Sequence, residues 1–192
     1  MRRVADAQNL AWKLAWVLRG DASQSLLGTY DAERRPVGAF TAEQAYTRYV
    51  VRLAPELKSD DLTPFVPDPP IALGHRYRSS AVVDEGGDEP REDPRGGTGK
   101  PGYRAPHVDL GGRSTLDLFG RGFVLLSASQ AWLDASPVEA HRVDAAVAER
   151  YGIGAEGASL VRPDGFVAWR TRGADPDPGG AVRRALSDCL GV

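Results

Sequence analysis

The chain is poor in several residue types, and each shortage excludes something. Among its 192 residues there is one cysteine, Cys189, so no internal disulfide can form and no CxxC redox pair exists. A lone thiol fits a reducing cytoplasm. Histidine occurs three times, as His75, His107 and His141, never at the short spacing of a metal-ligand pair, so no metal site is expected. No run of 18 apolar residues occurs, which leaves no membrane-spanning candidate, and polar residues break up the N-terminus before Leu10, so no signal core is expected. Basic residues are not in surplus: the formal charge is −2, which argues against a nucleic-acid binder. Lysine is scarce beside arginine, being confined to Lys13, Lys58 and Lys100.

What is present begins with a helix. Ala7, Leu10, Ala11, Leu14, Val17 and Leu18 recur at the spacing of one helical face, with Trp12 and Trp16 beside it, and Gly20 is placed to end the helix. This face is expected to be buried, with the tryptophans packing into an interdomain or dimer contact. A second helix is predicted over 24–34. Pro36 is expected to interrupt it, and a third helix over 37–53 would bury Val37, Phe40, Tyr46, Val50 and Leu53 until Pro55 ends it. The run Asp31-Ala32-Glu33-Arg34-Arg35-Pro36 reads as a surface ion-pair cluster.

Residues 56–104 are rich in proline and then in glycine and acid, and the stretch 84–102 reads as a flexible linker. Its Gly96-Gly97-Thr98-Gly99-Lys100 has the wrong glycine spacing for a phosphate loop and follows no apolar strand. From residue 105 short strands and helices alternate. Residues 108–110 are an expected edge strand and 114–119 a short helix capped by Ser114. Phe123-Val124-Leu125-Leu126 is a strand covered on both faces, 138–143 a second central strand and 144–151 a helix. A hairpin turns at Pro163-Asp164-Gly165, and a helix over 178–190 closes the chain. The fold class is α/β: an N-terminal helical segment (1–55), a connection (56–104), and a thioredoxin-like α/β domain (105–192) with a central mixed sheet. Where such a fold carries its thiols, this chain has Ala128-Ser129-Gln130, and Gly157-Ala158 replaces the proline before the next-to-last strand. Disulfide exchange is therefore not expected.

Asp6-Ala7-Gln8-Asn9-Leu10-Ala11-Trp12-Lys13-Leu14 and Leu27-Gly28-Thr29-Tyr30-Asp31-Ala32-Glu33-Arg34-Arg35-Pro36 resemble the class A flavin-dependent aromatic hydroxylases of the p-hydroxybenzoate hydroxylase type. Ala158 to Arg170, reading ASLVRPDGFVAWR, is similar to the end of their subgroup with a thioredoxin-like C-terminal domain, which includes phenol hydroxylases and actinobacterial polyketide hydroxylases. The resemblance implies FAD as cofactor, NADPH or NADH as reductant, and hydroxylation of an activated phenol. It also implies that Met1 to Ala5 stand where the family has the end of a flavin-contacting loop. The Rossmann motifs are absent, so the chain alone is expected to bind no FAD and to be inactive. No catalytic or metal residue is assigned, and no cofactor role passes to Asp6 or Asn9. The helix Ala7 to Leu18 is the expected contact for a flavin-domain partner or a second copy. The alternative is a free-standing, non-catalytic assembly protein or binder of an aromatic small molecule.

Overall fold

The computed structural model describes residues 2–192. Helix α1 (Arg2–Arg19) ends as the glycine requires: Gly20 takes φ +81°, and the Gly20 and Asp21 amides donate to the carbonyls of Val17 and Trp16. Helix α2 (Ser25–Leu53) follows in antiparallel contact with α1. The break expected at Pro36 does not occur. Pro36 and Ala32, whose carbonyl loses its partner, both lie on the solvent face, where water can satisfy that carbonyl. The buried stripe of α2 also differs from the expected one. Tyr46 and Leu53 are exposed, while Leu26, Thr29, Glu33, Arg34, Val37, Gln44, Thr47 and Val50 are covered. Gln44 and Thr47 are satisfied by the proline-rich stretch beside them: the Gln44 amide donates to the Pro64 carbonyl at 2.9 Å and the Thr47 hydroxyl to Thr63 at 2.9 Å.

After a short helix α3 (Asp68–Leu73), the acidic stretch read as a linker is anchored by charge. Asp84 pairs with Arg76, and Glu85 receives both ends of the Arg170 guanidinium at 2.6 and 2.7 Å. Gly99, at φ +64°, lies so close to Tyr151 that a Cβ there would stand 2.5 Å from its carbonyl oxygen. Composition showed nothing to bury here, and the anchoring uses ion pairs and close backbone approach instead.

The second half carries a four-stranded mixed sheet: β1 (Val124–Ser127), β2 (Glu139–Arg142), β3 (Ala158–Val161) and β4 (Val167–Thr171), in the order β2-β1-β3-β4. β1 and β2 are parallel; β3 is antiparallel to both β1 and β4. With α4 (Gln130–Ala135) and α5 (Ala145–Arg150) in the crossovers and α6 (Pro178–Leu190) last, this is the thioredoxin-like arrangement. β2 is an edge strand rather than a central one, half exposed along its length, and residues 108–110 form only an isolated bridge from Asp109 to Ser114. Residues 115–118 form a 3₁₀ turn under the Ser114 cap.

Both sheet faces are covered, which explains the unbroken apolar run of β1. Leu125, Ala158, Leu160 and Ala168 face α4, α6, Trp12 and Leu26, whereas Val124, Leu126, Val161 and Val167 face α5 and Tyr151. The helical segment is thus packed into the first of these two cores.

The side of α1 that does this is not the one its periodicity indicated. Asn9, Trp12 and Lys13 are buried and Trp16 half-buried, whereas Ala7, Ala11, Leu14 and Leu18 are exposed. Trp12 and Trp16 each meet Phe123 edge-on, with centroids 5.8 and 5.4 Å away. The tryptophans therefore make the cross-contact expected of them. Of the aliphatic stripe, Val17 joins this core while Ala7, Ala11, Leu14 and Leu18 do not, because a stronger polar attachment turns the face of Asn9 and Lys13 inward.

Candidate functional site

That attachment centres on Glu33. Its carboxylate accepts from Asn9 Nδ2 (2.7 Å), Lys13 Nζ (2.8 Å), Ser79 Oγ (2.6 Å) and both terminal nitrogens of Arg162 (2.6 and 2.9 Å). Arg162 in turn donates to Asp164 through Nε at 3.0 Å and Nη2 at 2.6 Å, and Asn9 also reaches Asp164 at 3.1 Å. The Arg162 guanidinium lies 5.1 Å from the Trp12 ring centroid, 5.5 Å from that of Tyr77 and 5.9 Å from that of Phe166. Tyr77 and Phe166 themselves stack at 3.9 Å.

Local structure explains how these groups converge. Asn9 and Lys13 are four apart and share one helical face. Glu33 stands opposite them on α2. Arg162 and Asp164 come from the hairpin turn, which the Gly165 amide closes by donating to the Arg162 carbonyl at 2.9 Å. Two cations and two carboxylates balance. Burying them costs several kcal/mol per ion, which only such dense pairing offsets. Burial opposes ionisation of Glu33, but the Arg162 and Lys13 charges outweigh it and hold the carboxyl well below its usual range. Burial lowers Lys13 to about 8 against the pull of Glu33. The network is almost wholly buried and holds elements in place, with Asp164 also lining a small recess beside Tyr77 and Phe166.

A second layer faces outward. Arg34 donates to Asp6 at 2.7 Å and to the Tyr77 hydroxyl at 2.7 Å. Beyond it opens a cleft of about 1120 Å³ between α1, α2 and α3, lined by Gln8, Tyr30, Val37, Ile71, Leu73 and Arg104 among others. The run 31–36 therefore splits. Asp31 and Arg35 form the exposed pair expected of it, at 2.6 Å, while Glu33 and Arg34 are buried, contrary to that expectation. A surface reading was natural because their partners lie far away in sequence.

The histidines do not meet. His75 is buried after α3, with Nε2 2.5 Å from the Ile71 carbonyl; His107 touches Ser114; His141 on the edge strand pairs with Glu139. Cys189 is buried on α6, and burial pushes its thiol up to about 12.

The geometry has clear counterparts. Residues 98–192 match the family model of the aromatic-ring hydroxylase C-terminal region, and residues 3–45 match that of an FAD-binding domain. The chain is 44% identical over 97% of its length to 4-methyl-5-nitrocatechol 5-monooxygenase of a Burkholderia species, covering 39% of that protein. It is 44% identical over 95% of its length to aklavinone 12-hydroxylase RdmE of Streptomyces purpurascens, again covering 39%. The crystal structure of aklavinone-11 hydroxylase with FAD and aklavinone superposes with a TM-score of 0.93 at 41% identity, over all of this chain and 40% of that one.

The chain belongs to the FAD-dependent aromatic-ring hydroxylases. It spans about two fifths of the length of these relatives. Within that span the hydroxylase fold is complete from α1 to α6. Among the described residues the elements of a dinucleotide fold do not stand together. A dinucleotide fold needs a parallel strand, a glycine-rich turn and a helix. The segment matching the FAD-binding model consists here of α1 and most of α2. Among the described residues the sheet lies wholly within 124–171, and Ala128-Ser129-Gln130 follows its first strand.

Proposed function

We propose that this chain supplies the C-terminal portion of an FAD-dependent aromatic-ring monooxygenase acting on phenolic or polyketide substrates. The flavin is held by a further polypeptide portion that packs on α1. The observation carrying this reading is the exposed aliphatic face of α1. Val4, Leu14 and Leu18 are 72%, 38% and 83% exposed, on a helix within the stretch that matches an FAD-binding domain. An apolar stripe of this kind is an interface in waiting. The matches at 3–45 and 98–192 support dividing the chain into a helical segment (1–55), a connection (56–104) and a thioredoxin-like domain (105–192). In that division the Glu33 network is the bolt between the first and last parts.

In this role the chain's residues perform no redox step. Glu33 and Arg162 fix α1 on the sheet, and α1 presents its other face to the flavin-binding portion. The test is reconstitution. The purified chain is titrated with FAD, first alone and then with the flavin-binding portion of aklavinone 12-hydroxylase RdmE, following flavin fluorescence and NADPH oxidation. The expected result is no change with the chain alone and a complex with substrate-dependent oxidation in the mixture. Stoichiometric FAD binding by the chain alone overturns the reading, as does failure of the two portions to associate.

A further inference from the structure

The cleft beside the network contains one charge that the fold leaves unmatched. Of the charged side chains lining it, Asp6 is taken by Arg34 and Asp31 by Arg35. Arg104 pairs with no carboxylate among the described residues. Its guanidinium lies 5.9 Å from the Phe166 ring centroid, and its backbone bridges to Phe166, so it is half-buried and held in position. Arg104 lines both the cleft and a recess of about 20 Å³ that continues from it beside His75, Tyr77, Phe166 and Asp164, whose carboxylate is held by Arg162. Burial keeps His75 neutral near pH 7, its pKa lowered to about 4, so it adds no second cation.

The apolar part of the lining includes Val37, Ile71 and Leu73. The cleft slightly exceeds the ~300–1,000 Å³ usual for small-molecule sites. Its excess charge is a single positive one, and the two carboxylates in its lining disfavour a multiply charged phosphate. A cation would be repelled, and a neutral molecule would leave Arg104 unused. We propose that this cleft binds a small aromatic monocarboxylate, with the carboxylate on Arg104 and the ring against Val37, Ile71 and Leu73. Val4, on the α1 face assigned above to the flavin-binding portion, also lines this cleft, so the titration is made on the chain without that portion.

The test is calorimetric titration of the full chain with 2-naphthoate, 2-naphthol and 2-naphthylmethylammonium, repeated on Arg104→Gln and Arg104→Lys. A guanidinium–carboxylate hydrogen bond at a half-buried site gives about a tenfold or larger preference for naphthoate over naphthol. Arg104→Gln is expected to erase that preference and Arg104→Lys to keep part of it. Should Arg104→Gln fail to fold, the preference in the unaltered chain and its decline with added salt decide the matter. Equal binding of naphthoate and naphthol, an unchanged preference in folded Arg104→Gln, or no naphthoate binding at millimolar concentration overturns the proposal.

Discussion

Arg162 and Glu33 are 129 residues apart and meet end-on, Nη1 to Oε1 at 2.6 Å and Nη2 to Oε2 at 2.9 Å, with neither side chain reaching solvent. Removing one partner strands the other. Glu33→Ala leaves both Arg162 and Lys13 without their shared acceptor, and a buried pair broken in this way costs about 3–5 kcal/mol. Lys13→Met, which leaves the Glu33–Arg162 pair intact, is expected to cost less. Urea unfolding of the two variants, and a double-mutant cycle between Glu33 and Arg162, measure this. A loss below about 1 kcal/mol for Glu33→Ala, the level of an exposed pair, would contradict the buried geometry.

Acid should weaken the fold in two steps. Burial lowers His75 to about 4, aided by the Arg34 and Arg91 charges and opposed by its bond to the Ile71 carbonyl. The unfolded chain then binds more protons than the folded one between the ordinary histidine value and about 4. Stability is therefore complete above pH 6.5 and falls as pH drops through that window, by about 3 kcal/mol in all. Glu33, held below its ordinary range, adds a second loss that starts below about pH 4.5. Urea midpoints at pH 7, 5.5 and 4.5 for the natural chain and His75→Gln separate the two. The variant should be flat in the upper window and still fail in acid.

These buried charges mark the limit of what pattern reading could reach. The closing helix, the β1 run, the hairpin turn and the Gly20 stop were all legible, because each depends on neighbours within a few residues. The inward face of α1 was not. Periodicity counts Asn9 and Lys13 as solvent-facing, and only partners 20 to 155 residues away make them interior. Glu33 and Arg34 were misread for the same reason. The resemblance did quote the ERRP and RPDG runs that meet here, so a family motif of unexplained charges was the available signal. The course of α2 past Pro36 was hidden because the proline's cost depends on which face it occupies.

Cys189 should be chemically silent in the native protein. Its thiol is buried in the core between α6 and the sheet, and burial raises its pKa to about 12, so the reactive thiolate is scarce at neutral pH. A thiol-reactive disulfide reagent is expected to give no native-state reaction at pH 8 and one equivalent after unfolding in urea. The chain should not reduce insulin disulfides. Rapid native labelling would show that α6 opens far more readily than its packing indicates.

The outer face of α1 should govern association and not folding. Leu14 and Leu18 are exposed, so replacing both with glutamate removes little packing, and surface changes of this kind usually stay within about 0.5 kcal/mol each. The same change places two carboxylates in any apolar interface built on this stripe, where desolvating unpaired charge is costly. Leu14→Glu with Leu18→Glu is therefore expected to melt close to the natural chain while losing binding to the flavin-binding portion of RdmE, measured by co-elution and flavin fluorescence. Light scattering of the chain alone, with and without the substitutions, reveals whether a second copy uses the same face. A large drop in melting temperature would mean that the stripe is covered within this chain, and unchanged association would move the interface elsewhere.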